Sequence, residues 1–240
     1  CSGAVPVGFR FLRVETDRPA EMINLHHTDC MEYMAGLPDK AYDLAIVDPP
    51  YGISIIGQFN KSDTFKTSTS KSSSEWDNSI PPPEYFSELM RVSADHIIWG
   101  GNYFLDHLGK SNGFVIWDKM NGTNPMADAE LAWTSFERAS RMFRMHHFSA
   151  GYDKKIHPTQ KPVALYRWLL KNYAKPGQRI LDTHGGSMSI AIACDIEGFD
   201  LDLCELDKDY FEAGRKRLEQ HQAQPRLFDA PAPQPIQLTL

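Results

Sequence analysis

The 240-residue sequence predicts an α/β domain with a mostly parallel central sheet and helices on both faces, on three observations. Short apolar runs end on acidic side chains: Leu44-Ala45-Ile46-Val47 before Asp48, Ile180-Leu181 before Asp182, and Leu201-Asp202-Leu203-Cys204 before Glu205. Segments of helical period lie between such runs, giving two strand-helix-strand units whose strands are expected to lie parallel. The composition, 42% hydrophobic and 23% charged, suits one large domain with a sizeable core.

Taken in order, residues 1–20 show no clear period and read as a lead-in to a single domain over 21–220. Met22-Ile23-Asn24-Leu25-His26 alternates like a strand, and Thr28-Asp29 can cap a short helix ending at Gly36, before Pro38. The next strand stops at Asp48-Pro49-Pro50-Tyr51-Gly52, because proline has no N–H to continue a ladder. Residues 53–79 turn to Ser, Thr, Lys and Gly and predict a long mobile loop directly after this motif. Pro81-Pro82-Pro83 opens a helix with Tyr85, Phe86, Leu89 and Met90 on one face, and Asp95 to Trp99 is a strand meeting Gly100-Gly101. Phe114 to Trp117 and Ala129 to Trp133 read as further strands, whereas 135–156 fits either a strand pair or an irregular insertion.

His157-Pro158-Thr159-Gln160-Lys161-Pro162 introduces a helix with Val163, Tyr166, Leu170 and Tyr173 on one face. Arg179 to Asp182 is then a strand, Thr183-His184-Gly185-Gly186-Ser187 a turn in which Ser187 is the capping residue, and 190–196 a helix stopped at Gly198. Asp200 to Glu205 closes the unit, Asp207 caps a last helix, and 221–240, rich in Pro, Gln and Ala, reads as a disordered tail.

The candidate chemistry sits at strand ends. Two prolines fix the backbone so that the Pro49 carbonyl is a rigid acceptor beside the Asp48 carboxylate, with the Tyr51 ring close by. Two acceptors can take both hydrogens of an exocyclic amine while an aromatic ring lies against the base that carries it. In the second unit a glycine pair lets a ligand lie against the backbone, and Glu205 is placed to accept from both hydroxyls of a ribose. The G-x-G-x-x-G spacing of a dinucleotide site is missing, so the turn suits a nucleoside with an amino-acid tail equally well.

Asp48-Pro49-Pro50-Tyr51-Gly52, then His157 to Pro162, then Asp182 to Ser187 and Glu205, in that order, resembles the DNA amino-methyltransferases whose catalytic motif precedes the cofactor motif, the β-ordered class. The resemblance spans about residues 22–220 and includes Trp99-Gly100-Gly101-Asn102-Tyr103-Phe104. It implies a Rossmann-like fold using S-adenosylmethionine, with Asp48, Pro49, Pro50 and Tyr51 catalytic and a base turned out of duplex DNA against Tyr51. It further implies that the cofactor lies across Asp182, Gly185, Gly186 and Ser187, with Glu205 on the ribose and Asp29 towards the adenine. Thr159 and Lys161 would meet the methionine carboxylate, a place where a cation is the sensible partner. The glycine motif departs from the family pattern: His184 stands where a Phe is common and Met188 where a Gly is common.

Adenine N6 is the expected target, with cytosine N4 as the alternative and a nucleic-acid-binding protein of weakened catalysis as a third reading. Methylation of RNA or protein is disfavoured by the motif order. A formal charge of -6 argues against indiscriminate coating of nucleic acid but allows a local basic surface. Lys61, Lys66 and Lys71 in the long loop, and Arg138, Arg141, Arg144 and Lys154 in a short candidate recognition segment over 135–156, are the expected DNA contacts. Gln224-Pro225-Arg226-Leu227-Phe228 resembles the peptide by which bacterial proteins dock on the replication sliding clamp, and a second copy of the chain is a further candidate partner. No metal site is expected. Scattered Cys1, Cys30, Cys194 and Cys204, with no signal-peptide pattern or membrane-length apolar run, point to a reducing cytoplasm.

Overall fold

The computed structural model describes residues 22–53, 78–122, 127–146, 156–157 and 159–224. Its strands are β1 (Ile23–His27), β2 (Tyr42–Val47), β3 (Ser93–Trp99), β4 (Phe114–Asp118), β5 (Ala129–Thr134), β6 (Arg141–Arg144), β7 (Arg179–Asp182) and β8 (Asp200–Glu205). The helices are α1 (Cys30–Ala35), α2 (Pro83–Val92), α3 (Leu105–Leu108), α4 (Val163–Tyr173), α5 (Ser189–Glu197) and α6 (Lys208–Gln222).

The strands form one sheet in the order β1-β8-β7-β2-β3-β5-β4-β6, in which β5 is antiparallel to both neighbours and every other pairing is parallel. Side chains along a strand point alternately to the two faces, so the central strands feed two cores. Leu44 and Ile46 of β2, Ile97 and Trp99 of β3 and Ile180 of β7 pack with α4, α5 and α6. Ala45, Val47, Ile98 and Leu181 pack with α1, α2 and α3. Burial on both sides explains why these strands read as continuous apolar runs rather than alternating ones.

The chain steps from β2 outward to β3, and later returns to β7 on the other side of β2. Open α/β sheets bind ligands beyond the carboxyl ends of their strands at such a reversal. Asp48, after β2, and Asp182, ending β7, therefore emerge side by side at the one edge suited to a site.

Among the described residues of 135–156, 141–144 form one strand, β6, held in parallel register by β4, and 147–155 lie outside the described residues. Two local expectations are corrected. The inward face of α2 is Tyr85, Phe86, Leu89 and Val92, with Met90 at its margin. The residue preceding α5 in capping position is Met188 rather than Ser187, whose hydroxyl instead meets that of Ser189.

Met188 holds φ 55°, a left-handed conformation that costs a non-glycine residue about 1–2 kcal/mol. Its fully buried side chain offsets that cost by filling the space over Gly214 of α6, where an added Cβ would lie 2.6 Å from Met188 Cγ. Gly214→Ala should therefore lower stability by about 1–3 kcal/mol through overpacking. The loss should shrink when Met188→Gly is added, since the clash needs both side chains. Equal melting temperatures for the wild type and Gly214→Ala would refute the pairing.

Candidate active site

The Asp48 carboxylate is the meeting point of three elements. One oxygen accepts from the Tyr51 hydroxyl at 2.5 Å and the other from the Lys161 ammonium. Lys161 arrives from the segment leading into α4, and its Nζ is 3.3 Å from the Tyr51 hydroxyl as well. The side chain of Lys161 is only 2% exposed, yet its charge is well supplied: Nζ stands 5.1 Å from the centre of the Trp99 ring and 5.8 Å from that of Tyr51.

Tyr51 owes its position to Gly100. That residue has φ 69°, and a Cβ there would fall 2.2 Å from Tyr51 Cε1. Only glycine tolerates both the backbone and the approach. On the same turn Tyr103 lies parallel to Tyr51, with centroids 5.2 Å apart and planes 17° from parallel, and is the more exposed ring of the pair. Gly100→Ala should displace the Tyr51 ring while the two cores stay packed, and an activity that depends on that ring should fall by about tenfold or more, since a displacement of about an ångström at a site has that scale of effect. Turnover equal to the wild type at unchanged melting temperature would remove the glycine from this role.

A second carboxylate completes the cluster. Glu130 on β5 lies 3.1 Å from Lys161 Nζ through Oε2 and 2.6 Å from Lys119 Nζ through Oε1. Two ammonium groups thus face two carboxylates in one partly enclosed space. Burial raises the Asp48 carboxyl above the ordinary aspartate value, with Lys161 opposing and Glu130 reinforcing the rise. Glu130 moves the other way: burial would raise it, but the two lysines together hold it below the ordinary range. Lys161 stays cationic because its two carboxylates outweigh the cost of burial.

Two cavities meet at this cluster. The smaller, about 150 Å³, is walled by Asp48, Pro49, Tyr51, Tyr103, Lys119 and Glu130 among others. The larger, about 680 Å³, lies over the ends of β1, β7 and β8 and falls within the size range of small-ligand pockets. Asp48, Pro50, Thr159 and Lys161 line both.

Around the larger cavity, each predicted residue has a traceable position. Asp29 caps α1, accepting from the N–H groups of Met31 and Glu32, and still borders the cavity. Glu205 accepts from Gly186 N at 2.7 Å and Asp207 N at 2.8 Å, one bond per carboxylate oxygen, which leaves lone pairs for hydroxyl donors. Gly186 and Ser187 are on the wall; Gly185 is too, but the hydrogen it carries in place of a side chain faces Leu203 of β8, where a Cβ would be 2.3 Å from Cδ2. Asp182 lies beneath the wall, buried, with a carboxyl pushed up to about 8 by burial and holding the His184 N–H at 3.0 Å. Thr159 joins the His157 ring at 3.0 Å, and His157 packs edge-on to Tyr210.

His184 serves as an aromatic. Its ring meets the Tyr85 ring edge-on at 5.4 Å, and its Nδ1 joins a hydrogen-bonded chain through the Thr183 hydroxyl to the Tyr85 hydroxyl. Burial lowers its pKa to about 4, so the ring is neutral near pH 7. Thr183 thus supplies the polar partner that a histidine here needs and a phenylalanine would not.

The basic residues separate. Arg138 stacks on Tyr173 at 3.8 Å and donates to the Asn172 carbonyl, while Arg141 lies 5.6 Å from the Trp168 ring, so both are engaged with α4. As the first residue of β6, Arg141 is at the amino edge of the sheet, away from the cavities. Arg144, paired with Asp118 at 3.3 Å, is at the carboxyl edge, on the side of the site. Lys61, Lys66, Lys71 and Lys154, and the tail from Pro225 onward, lie outside the described residues.

Sequence reasoning passed over Lys119, Glu130 and Tyr103 as functional groups. The available signal for Glu130 was a lone acidic residue inside the apolar run Ala129-Glu130-Leu131-Ala132-Trp133.

Comparison with known proteins adds to this geometry. Residues 129–216 match the N6/N4 DNA methylase family model. The type II methyltransferase M2.MboI of Moraxella bovis is 23% identical over an alignment covering 71% of this chain and 78% of the relative. Among solved structures, an M1.HpyAVI complex with S-adenosylmethionine aligns at a TM-score of 0.53 and 20% identity, over 82% of this chain and 99% of that one. The cytosine-N4-specific PvuII DNA methyltransferase aligns at 0.53 and 11% identity, over 85% and 91%. At such identities the structural likenesses establish the fold, and the family match agrees with the family named from the motif order. No helix among the described residues is long and apolar enough to cross a membrane.

Proposed function

Proceeding from a DNA methylase match over residues 129–216 and a site assembled at the β2/β7 reversal, we propose that this chain transfers a methyl group from S-adenosylmethionine to the exocyclic N6 amine of an adenine turned out of duplex DNA. The observation that carries the reading is the position of Asp48, whose carboxylate stands on the wall between a small ring-lined cavity and a large nucleoside-sized one.

The residues fit the cofactor. Glu205, with lone pairs left on both oxygens, suits ribose hydroxyls, and Asp29 suits a neighbouring amine. Gly186 and Ser187 supply the close backbone wall, and Asp182 supports it from below by fixing His184. Thr159, with Lys161 beside it, borders the end nearest Asp48. When bound, S-adenosylmethionine supplies an already activated methyl group at a sulfonium.

The chain's own work is binding, orientation and proton placement. An exocyclic amine gives its lone pair to the ring and is a poor nucleophile. Asp48 and the Pro49 carbonyl, accepting its two hydrogens, favour localisation of that pair, and Asp48 is placed to receive the proton the amine must lose. Tyr51 and Tyr103 offer ring faces to the base, and the smaller cavity limits water around it. Lys161 keeps the Asp48 carboxylate fixed against Tyr51.

An aspartate at the head of the motif leans towards adenine. Cytosine N4 is the second reading, motivated by the structural likeness to an N4-specific enzyme. Incubating the protein with methyl-labelled cofactor and mixed duplex DNA, then digesting to nucleosides, distinguishes them: N6-methyl-2′-deoxyadenosine is expected, N4-methyl-2′-deoxycytidine would transfer the proposal to the second base, and no labelled nucleoside would end it.

A further inference from the structure

Lys161 stands between two carboxylates, and only one of them belongs to the catalytic motif. We infer that Glu130, with Lys119 behind it, is a positioning residue of the reaction: it shares the Lys161 charge with Asp48, so that Asp48 is held in place yet remains a competent acceptor for the target amine. The inference rests on the proposed methyl transfer at Asp48.

The geometry is asymmetric in the way this sharing requires. The Lys161 ammonium donates a hydrogen bond to Asp48 at the shorter distance, whereas Glu130 Oε2 stands further off, an ion-pair partner at 3.1 Å. Lys119, at 2.6 Å, satisfies the other Glu130 oxygen. Were Glu130 neutral, Lys161 would be matched to Asp48 alone, and a carboxylate so neutralised is a weaker acceptor. Were Lys119 neutral, Glu130 would draw more of the Lys161 charge to itself. The strand that carries Glu130 needs no charge for its own packing, since Ala132 and Trp133 fill the two cores there.

Electrostatics point the same way. The groups facing Asp48 are Lys161 and Glu130, Tyr51 in its own loop, and Tyr166, Asp182 and Tyr85 on α4, β7 and α2. The three tyrosines keep their protons, held well above their ordinary values by burial. Among the partners of Asp48, Lys161 lowers its carboxyl and Glu130 raises it. An ionised Asp48 is the form that accepts from the amine, so activity should rise with pH through the folded Asp48 value.

The test uses the full chain and the variants Glu130→Gln and Lys119→Met. In Glu130→Gln, loss of an anion should move the acid limb of single-turnover methyl transfer to lower pH by about one unit and lower the plateau rate by about tenfold. Affinity for S-adenosylmethionine by calorimetry should change little. In Lys119→Met the limb should move the opposite way, and Glu130→Asp should restore much of the plateau. A residue that only packs would lower the melting temperature and leave both limbs where they were. Carbon-13 shifts of the Asp48 carboxyl in the ligand-free protein, assigned with Asp48→Asn, report the same two displacements without any turnover. Opposite displacements support the inference. Unmoved midpoints in an active protein overturn it and spare the proposed function, whereas a wild type that methylates no DNA overturns the function and leaves the carboxyl shifts to decide the sharing. Should Glu130→Gln fail to fold, Lys119→Met, whose charge lies one contact further from Asp48, carries the comparison.

Discussion

Asp48→Asn should lower methyl transfer by about 10²–10⁴-fold while leaving binding of S-adenosylmethionine intact. The expectation follows from the position of the carboxylate on the wall between the cavities, with Tyr51 and Lys161 already fixed on its two oxygens. Asparagine keeps the shape but puts donor hydrogens where an acceptor is needed, and it cannot take the proton that leaves the amine. Radiolabelled methyl transfer and calorimetry with the cofactor read the two halves separately. Turnover within a few-fold of the wild type would remove Asp48 from the chemistry; loss of cofactor binding with turnover would indicate a collapsed wall instead.

Lys161→Met has the largest expected effect on the fold itself. Removing one partner of a buried ion pair leaves uncompensated charge, and here two carboxylates lose their shared cation at once. The side chains of Asp48 and Glu130 keep 18% and 21% exposure, so solvent moderates the penalty, and a loss of about 2–4 kcal/mol is expected near neutral pH. The sign with pH is definite. Without Lys161 the Asp48 carboxyl rises still further above its unfolded value, and a carboxyl raised on folding favours the folded state where it is protonated. The variant should therefore be least stable at neutral and higher pH and recover towards the wild type as pH falls through the folded Asp48 value. Denaturant titrations across that range check it; a pH-independent difference would mean that packing, not charge, is what Lys161 supplies.

The layout of the fold was legible because its signals are local. Apolar runs ending on Asp48, Asp182 and Glu205, and capping by Asp29 and Asp207, are set by neighbours in sequence, and they appear where periodicity placed them. The N-cap of α5 eluded the same reasoning because Met188 adopts a conformation its residue type disfavours, stabilised by Gly214 on another helix. Charge counts do not reveal that Tyr173 and Trp168 lie beneath Arg138 and Arg141. Lys161 meets Asp48 across 113 residues of chain, and that pairing is a property of the sheet order. Motif order alone brought Lys161 to the site but not to this partner.

The wall that Asp48, Pro50, Thr159 and Lys161 present to both cavities has a thermodynamic consequence. Two ligands that touch the same four residues cannot bind independently, and whatever factor one ligand applies to the affinity of the other is returned in equal measure. DNA affinity measured with and without bound cofactor, and cofactor affinity measured with and without DNA, must then change by the same ratio. Substitutions that change the shape of this partition, unlike the isosteric Asp48→Asn, will register on both ligands. Tyr103 on one side and Glu205 on the other each border a single cavity, and there the two affinities can be altered one at a time.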